Sequence, residues 1–345
     1  MSMWINRQKW RLREIKHYAD GAIKPYQVRR QIKQAVASQK PIIVGPWISE
    51  VGYELLYWVP FLKWAQNAFR IPPERLIVVS RGGTHQWYQH ITANYVDIFD
   101  FFTADEFRAI NEQRIIGPRK QKQISFTPFD QQILSRAIGI NWVQTHSVLH
   151  PLMVYQIFRA WYRSYSTYRQ IQAHTSFHRY NIQIHPLIQS RLPEKYVSVK
   201  FYSRPSLPET DLNQVFIRCL LQKVAKQLPV VLLNTGLAID DHSDFDVIGN
   251  QNIIDATSWM TPSDNLDIQT QIIARSEYFL GTYGGLSYLP VLCGVPAFTF
   301  YSENNWRTQH LKVLHEAIQR HEQFADFAVL KVDDFMKLAH LLDLS

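Results

Sequence analysis

Apolar and polar positions alternate along the chain in two successive series of short buried runs and helical periodicities. In the first series, Pro41-Ile-Ile-Val-Gly45 reads as a strand, the loop 46–52 follows, and 53–64 has helical period. Leu76-Ile-Val-Val-Ser80 reads as a second strand broken by Arg81-Gly-Gly83, and Val96–Phe99 with Phe101-Phe102 as a third. Residues 131–180 read as mainly helical. The second series begins after Leu192-Pro193. It has strand patterns at 196–202, 229–234, 246–248, 252–255, 277–281 and 295–301, helices at 213–227 and 265–275, and terminal helices at 308–322 and 333–343. Strands alternating with helices predict parallel sheets covered on both faces. The expected organisation is a basic helical extension over 1–40, an N-terminal α/β domain over 41–190 and a C-terminal one over 191–345. Two doubly wound domains in one chain place a ligand cleft between them, at the carboxyl ends of their strands.

Charge adds a second pattern. The chain has 345 residues, 37 Lys+Arg, 29 Asp+Glu and a net charge of +8. Residues 1–40 carry ten bases and two acids, and so hold the whole excess. Residues 114–191 carry ten bases and one acid, Asp130, whereas 192–345 carry 12 bases and 18 acids. A hydrophobic content of 46% with 19% charged residues excludes global disorder. No apolar run reaches the ~18–20 residues of a membrane-spanning helix. The N-terminus lacks the apolar core of a signal peptide. Cys219 and Cys293, both in apolar helical patterns, read as buried free thiols. A cytoplasmic protein is expected, peripheral on the inner face of the membrane if Trp4, Trp10, Ile15 and Tyr18, interleaved with bases, lie on anionic lipid.

Three segments carry candidate chemistry. In the first, 274–300, a strand runs into Thr282-Tyr-Gly-Gly-Leu-Ser287, a short helix and the strand beginning Gly294-Val-Pro296. Glycine lets backbone approach a ligand, and the amides of the following helix suit a diphosphate. Thr282, Tyr283 and Ser287 offer hydroxyls beside Gly284 and Gly285. In the second, the strand from Tyr196 ends in Lys200 and Arg204, cations suited to a leaving diphosphate, and Asn234-Thr-Gly236 ends a strand on the same side. In the third, the loop from Gly45 to Pro60 carries Glu50 and Glu54. Either carboxylate can serve as a general base, and Glu54 alternatively caps its helix.

Residues 195–305 resemble the nucleotide-sugar half of GT-B-class glycosyltransferases. The 274–300 segment looks like the heptosyltransferase pattern, and Tyr196–Arg204 resembles the first donor-domain strand of fucosyltransferase-like members. The loop at Gly52-Tyr-Glu54 is similar to the heptosyltransferase Gly-Asp loop. The acid that precedes the turn glycine in that family is absent from Gly281-Thr-Tyr-Gly-Gly285. The resemblance implies two Rossmann-like domains facing a cleft, GT-B-like. It implies a metal-independent, inverting hexosyl- or heptosyltransferase of polysaccharide biosynthesis, moving sugar from a nucleotide-sugar to a glycan or lipid-linked acceptor.

Lys200, Arg204, Asn234, Thr282, Tyr283, Gly284, Gly285 and Ser287 would then hold the donor, with Glu50 or Glu54 as base. No cofactor is implied, since the nucleotide-sugar is a substrate. An anionic membrane surface is a candidate partner through 1–40 and 114–191. The alternatives are a polysaccharide pyruvyl transferase-like enzyme and a non-enzymatic binder of nucleic acid or anionic surfaces; no nucleic-acid motif supports the latter. The pairs His146/His150 and His174/His178 have the spacing of helical metal ligands, yet no further ligand accompanies them, and packing is the expected role. Asp240 and Asp241 read as a solvated loop, and Asp264 and Asn265 as helix caps.

Overall fold

A computed structural model of the chain describes residues 21–115, 122–237, 243–245, 252–306 and 308–341. The first series forms a parallel sheet from Ile42–Val44 (β1), Leu76–Ser80 (β2), Tyr95–Asp97 (β3) and Ser147–Leu149 (β4), in the order β3-β2-β1-β4. Ile43 stands opposite both Ile77 and Val148, so β1 is central. Its three residues are wholly buried, which is why it reads as a continuous apolar run rather than an alternating one.

The second series supplies Val197–Lys200 (β5), Tyr202–Ser203 (β6), Val230–Leu232 (β7), Ser243–Asp244 (β8), Ile253–Asp255 (β9), Tyr278–Thr282 (β10), Ala297–Tyr301 (β11) and Phe327–Lys331 (β12). Six of these make a parallel sheet in the order β12-β11-β10-β5-β7-β9, and β6 pairs antiparallel with β8. Val197, Val199, Phe216, Ile217, Leu221, Val230 and Phe300 are the heart of its core. The fold is thus α/β with two doubly wound parallel sheets. Among the described residues, one compact unit takes in residues up to Ser80, Tyr88–Phe101 and Gln113–Phe177. The second takes in Arg81–Trp87, Phe102–Glu112 and residues from His178 onward.

Several expectations are corrected. Residues 98–102 are not strand: the Asp97 side chain accepts from the Phe99 amide at 2.9 Å and turns the chain into a 3-10 helix, Ile98–Asp100. Strand β4 interrupts the helical stretch 131–180, and β12 lies between the two terminal helices; both are short edge strands flanked by helical sequence. Cys219 is exposed on the helix Asp211–Ala225, whereas Cys293 is buried. The Asp264 carboxylate does not cap Asn265–Arg275; it accepts from the Thr261 amide at 2.6 Å, and the Asn265 side chain donates to the Pro262 carbonyl. The expected strand at 246–248, Asp240, Asp241 and residues 1–20 lie outside the described residues.

Residues 21–37 form a helix that packs one face on the first unit. Val28, Ile32 and Ala35 form a buried stripe among the bases. Arg29 stacks over Trp64 at 4.9 Å, and Arg75 donates to the carbonyls of Ala35, Val36 and Lys40. The next helix starts at Val51, two residues before its expected start, and continues to Phe69 through a π-helical segment, Glu54–Trp58. Pro60 explains that segment. It has no N–H for the Leu56 carbonyl, and the wider turn, closed by the Val59 amide on the Glu54 carbonyl, relieves the clash of its ring.

Candidate active site

In an open parallel sheet, ligands bind beyond the carboxyl ends of the strands where the strand order reverses. In the second unit the chain runs outward from β5 through β7 and β9, then returns to place β10 on the other side of β5. The reversal lies between β5 and β10, which pair through Lys200 and Gly281. Beyond β5 come Tyr202 and Arg204; beyond β10 come Tyr283, Gly284 and Gly285. Arg204 is fixed by a tight turn in which its backbone and that of Leu207 exchange hydrogen bonds of 3.2 and 2.9 Å. Its Nη1 donates to the Tyr283 carbonyl at 3.4 Å. The Tyr202 hydroxyl and Arg204 Nη1 fill the space that a Cβ on Gly284 would take. Gly284 has an extended backbone, so close approach, not an unusual φ, demands glycine there.

The other expected donor residues surround this point and are largely spent on the fold. Thr282 Oγ1 accepts from the Tyr202 amide and donates to its carbonyl, both at 2.9 Å, joining β6 to β10. Ser287 Oγ donates to the Gly284 carbonyl at 2.6 Å and accepts from its amide at 3.2 Å. The Tyr283 ring packs against Tyr288, Trp306 and Phe327, and burial pushes its hydroxyl up to about 12. Lys200, expected to face the ligand, is buried. Its Nζ lies 2.6 Å from the Asp244 carboxylate and donates to the Leu233 carbonyl at 2.9 Å. The other Asp244 oxygen accepts from the Thr235 amide. Lys200 therefore ties the ends of β5, β7 and β8 together. Asn234 is half-buried, donates to the Phe245 carbonyl at 3.4 Å, and lies beyond the end of β7, one strand from the reversal. Arg204 and the half-buried Gly285 backbone are the groups at the reversal itself.

The first unit repeats the logic. Its order reverses between β1 and β4, so the loop after β1 stands at the switch point. The Gly45 amide donates to the Leu149 carbonyl and the Trp47 amide to the Val79 carbonyl. Gly45 has φ 129, and a Cβ there would strike the Val79 carbonyl. Gln123 holds the loop with both ends of its amide: Nε2 donates to the Pro46 carbonyl at 2.8 Å, and Oε1 accepts from the Ile48 amide at 3.0 Å.

The Gln123 amide is oriented in turn by buried Asp130, which accepts from Nε2 at 3.1 Å and also accepts from His150 Nε2 at 3.2 Å. The Leu152 amide donates to His150 Nδ1, which puts the ring proton on Nε2. Burial works to raise the Asp130 pKa, but His150 and Thr127 more than offset it and hold the carboxyl below its ordinary value. These three residues were not identified from the sequence as a site. The available signal was Asp130 itself, the lone acid among ten bases.

The two candidate bases differ sharply. Glu50 is exposed and begins the helix; its carbonyl accepts from the Tyr53 and Glu54 amides, and its side chain makes no capping bond. Glu54 is 1% exposed. Its Oε1 accepts from Ser80 Oγ at 2.7 Å and from the Tyr88 hydroxyl at 2.5 Å. Burial, then the neighbouring Glu54 charge, pushes the Tyr88 pKa well up. Glu54 thus fastens its helix to the end of β2 instead of capping it. Neither histidine pair lies on a helix face, since 147–149 is strand β4 and 175–178 is irregular; His150 bonds Asp130, and His174 lies edge-on to Trp64 at 4.8 Å. Among the described residues no cluster of three or more His, Cys, Asp or Glu is placed to hold a metal. Nor is any described helix long and apolar enough to cross a membrane.

No family model and no curated protein matches the chain. Among solved structures it is similar to a family 9 glycosyl transferase from Veillonella parvula, with 12% identity over 88% of this chain and 89% of that one, at a TM-score of 0.47. It is similar to ADP-heptose LPS heptosyltransferase II of E. coli, with 12% identity over 85% and 90%, at 0.49. It is also similar to a putative UDP-N-acetylglucosamine 2-epimerase from Listeria monocytogenes, with 12% identity over 88% of each chain, at 0.37.

Proposed function

We propose that the chain is a glycosyltransferase whose second unit holds a nucleotide-activated sugar at the reversal between β5 and β10. The observation that carries this reading is Arg204 packed on Gly284, a cation against bare backbone at the place where such sheets bind phosphates. In the reaction, the acceptor hydroxyl oxygen attacks the anomeric carbon, the bond from that carbon to the diphosphate breaks, and the hydroxyl proton passes to a carboxylate. Arg204 and the Gly284–Gly285 backbone meet the charge that develops on the diphosphate, a role that needs no metal. Glu50 is the favoured base, because Glu54 is already bound by two hydroxyls. A single displacement of this kind inverts the anomeric centre.

The test is calorimetric titration of the intact chain with ADP, UDP and GDP, alone and as their sugars. Wild-type protein is expected to bind at least one series, and Arg204→Ala to bind it at least about tenfold more weakly, the worth of one charge-assisted contact. Binding of phosphoenolpyruvate but of no nucleoside diphosphate would instead assign a pyruvyl transferase. Equal affinity in Arg204→Ala would remove Arg204 from the site.

A further inference from the structure

The first unit carries a group of apolar side chains that its own fold leaves uncovered. Ile140 is 84% exposed, Val143 61%, Ile124 55% and Phe126 42%. They belong to one patch. Trp142, buried between Ile140 and Val143 in the chain, has its ring 6.0 Å from that of Phe126, and Ile124 lies two residues before Phe126. The segment leads into β4, the edge strand of the sheet.

Cations frame the patch. Arg136 is exposed four residues before Ile140, and its guanidinium donates to the Phe101 carbonyl at 3.1 Å. Lys40 Nζ donates to the Gln144 carbonyl at 2.6 Å, beside Val143. The one acid of the surrounding stretch, Asp130, is turned inward to His150 and Gln123, while Asp100 stands exposed at the margin beside Phe101. A second copy of the same face would offer these bases few acids, the exposed Asp100 among them. A surface of anionic headgroups over acyl chains answers both the cations and the apolar tips.

We propose that this patch docks the protein on an anionic lipid bilayer. Ile124, Phe126, Ile140 and Val143 enter the headgroup boundary, and Arg136 and Lys40 meet lipid phosphates. The docking does not depend on the transfer reaction.

The experiment is co-sedimentation of the full chain with vesicles of phosphatidylcholine and of mixed phosphatidylcholine–phosphatidylglycerol. The wild type is expected to partition onto the mixed vesicles only. The pair Ile140→Ser/Val143→Ser and the pair Arg136→Gln/Lys40→Gln should each weaken partitioning at least about fivefold, since apolar insertion and charge both contribute. Melting temperature and nucleotide binding should stay at wild-type values, so this proposal and the transferase reading can fail separately. Absence of wild-type binding, or wild-type partitioning by the Ile140/Val143 pair, overturns it. A dimer seen by light scattering that the same pair dissolves, with partitioning unchanged, would give the patch to a second copy of the chain.

Discussion

At Gly284 one methyl group decides the geometry of the proposed donor site. Gly284→Ala puts a Cβ where the Tyr202 hydroxyl and Arg204 Nη1 lie, so one or both must move. Overpacking of this kind costs about 1–3 kcal/mol, and the displaced guanidinium should weaken nucleoside diphosphate binding at least about tenfold. Parallel urea melts and titrations check both effects. Lys200 makes the opposite prediction. Lys200→Met leaves the Asp244 carboxylate facing the end of β5 without its partner, a loss of about 3 kcal/mol for a pair this close and largely buried. Because Lys200 is spent inside the unit, the nucleotide affinity of the folded variant should fall by less than about threefold. A loss as large as that of Arg204→Ala would return Lys200 to the ligand. The sequence marks Thr282, Ser287 and Lys200 as polar groups near a turn. It does not say whether the backbone beside them consumes their hydrogen bonds first.

Elements were legible where an apolar run stands clear of helical sequence on either side. Buried strands such as β1, β2 and β7 stand out because both faces are covered, and the helix Asn265–Arg275 carries a full amphipathic period. Strands β4 and β12 were missed because helical sequence adjoins them: β4 is only three residues long, and β12, although apolar, runs straight into the helix Val332–Leu341. The π-helical segment was not foreseen although its cause, Pro60, is plain in the sequence, because a proline can end a helix as readily as widen one. The Gln123–Asp130–His150 cluster escaped because its members are scattered over 28 positions and meet only through the helix Pro128–Ala137 and the end of β4.

That cluster predicts a pH dependence. The folded-state pKa of Asp130 is depressed, so its contribution to stability is fully present above its ordinary value of 3.8 and is lost as pH falls through the lower folded value. Asp130→Asn should therefore lower stability at neutral pH and flatten the acid limb of a stability–pH curve. An acid limb identical to wild type would show that the cluster titrates elsewhere.

Across the whole molecule the charge is segregated, and the segregation sets how a phosphate ligand is recognised. Residues 192–345 hold 18 acids against 12 bases, so the proposed donor half supplies no net positive field of its own to a diphosphate. Binding there must come from local groups, Arg204 and the backbone amides after β10, in place of a broad basic field. Two consequences follow from that physics. Affinity for a nucleoside diphosphate should change only modestly between low and physiological salt, because a short contact in a partly buried crevice is screened less than a surface field. The steep salt dependence of a nucleic-acid binder should be absent. Protection should also be local. Saturating nucleotide stabilises the folded state by about 2.7 kcal/mol at a hundredfold excess over Kd. Hydrogen exchange on the intact chain should show that gain as slowed exchange in 200–207 and 282–288, the two segments that flank the reversal between β5 and β10. Slowing confined to 45–54 and 122–130 would place the nucleotide on the first unit's switch loop and reverse the assignment of donor and acceptor halves.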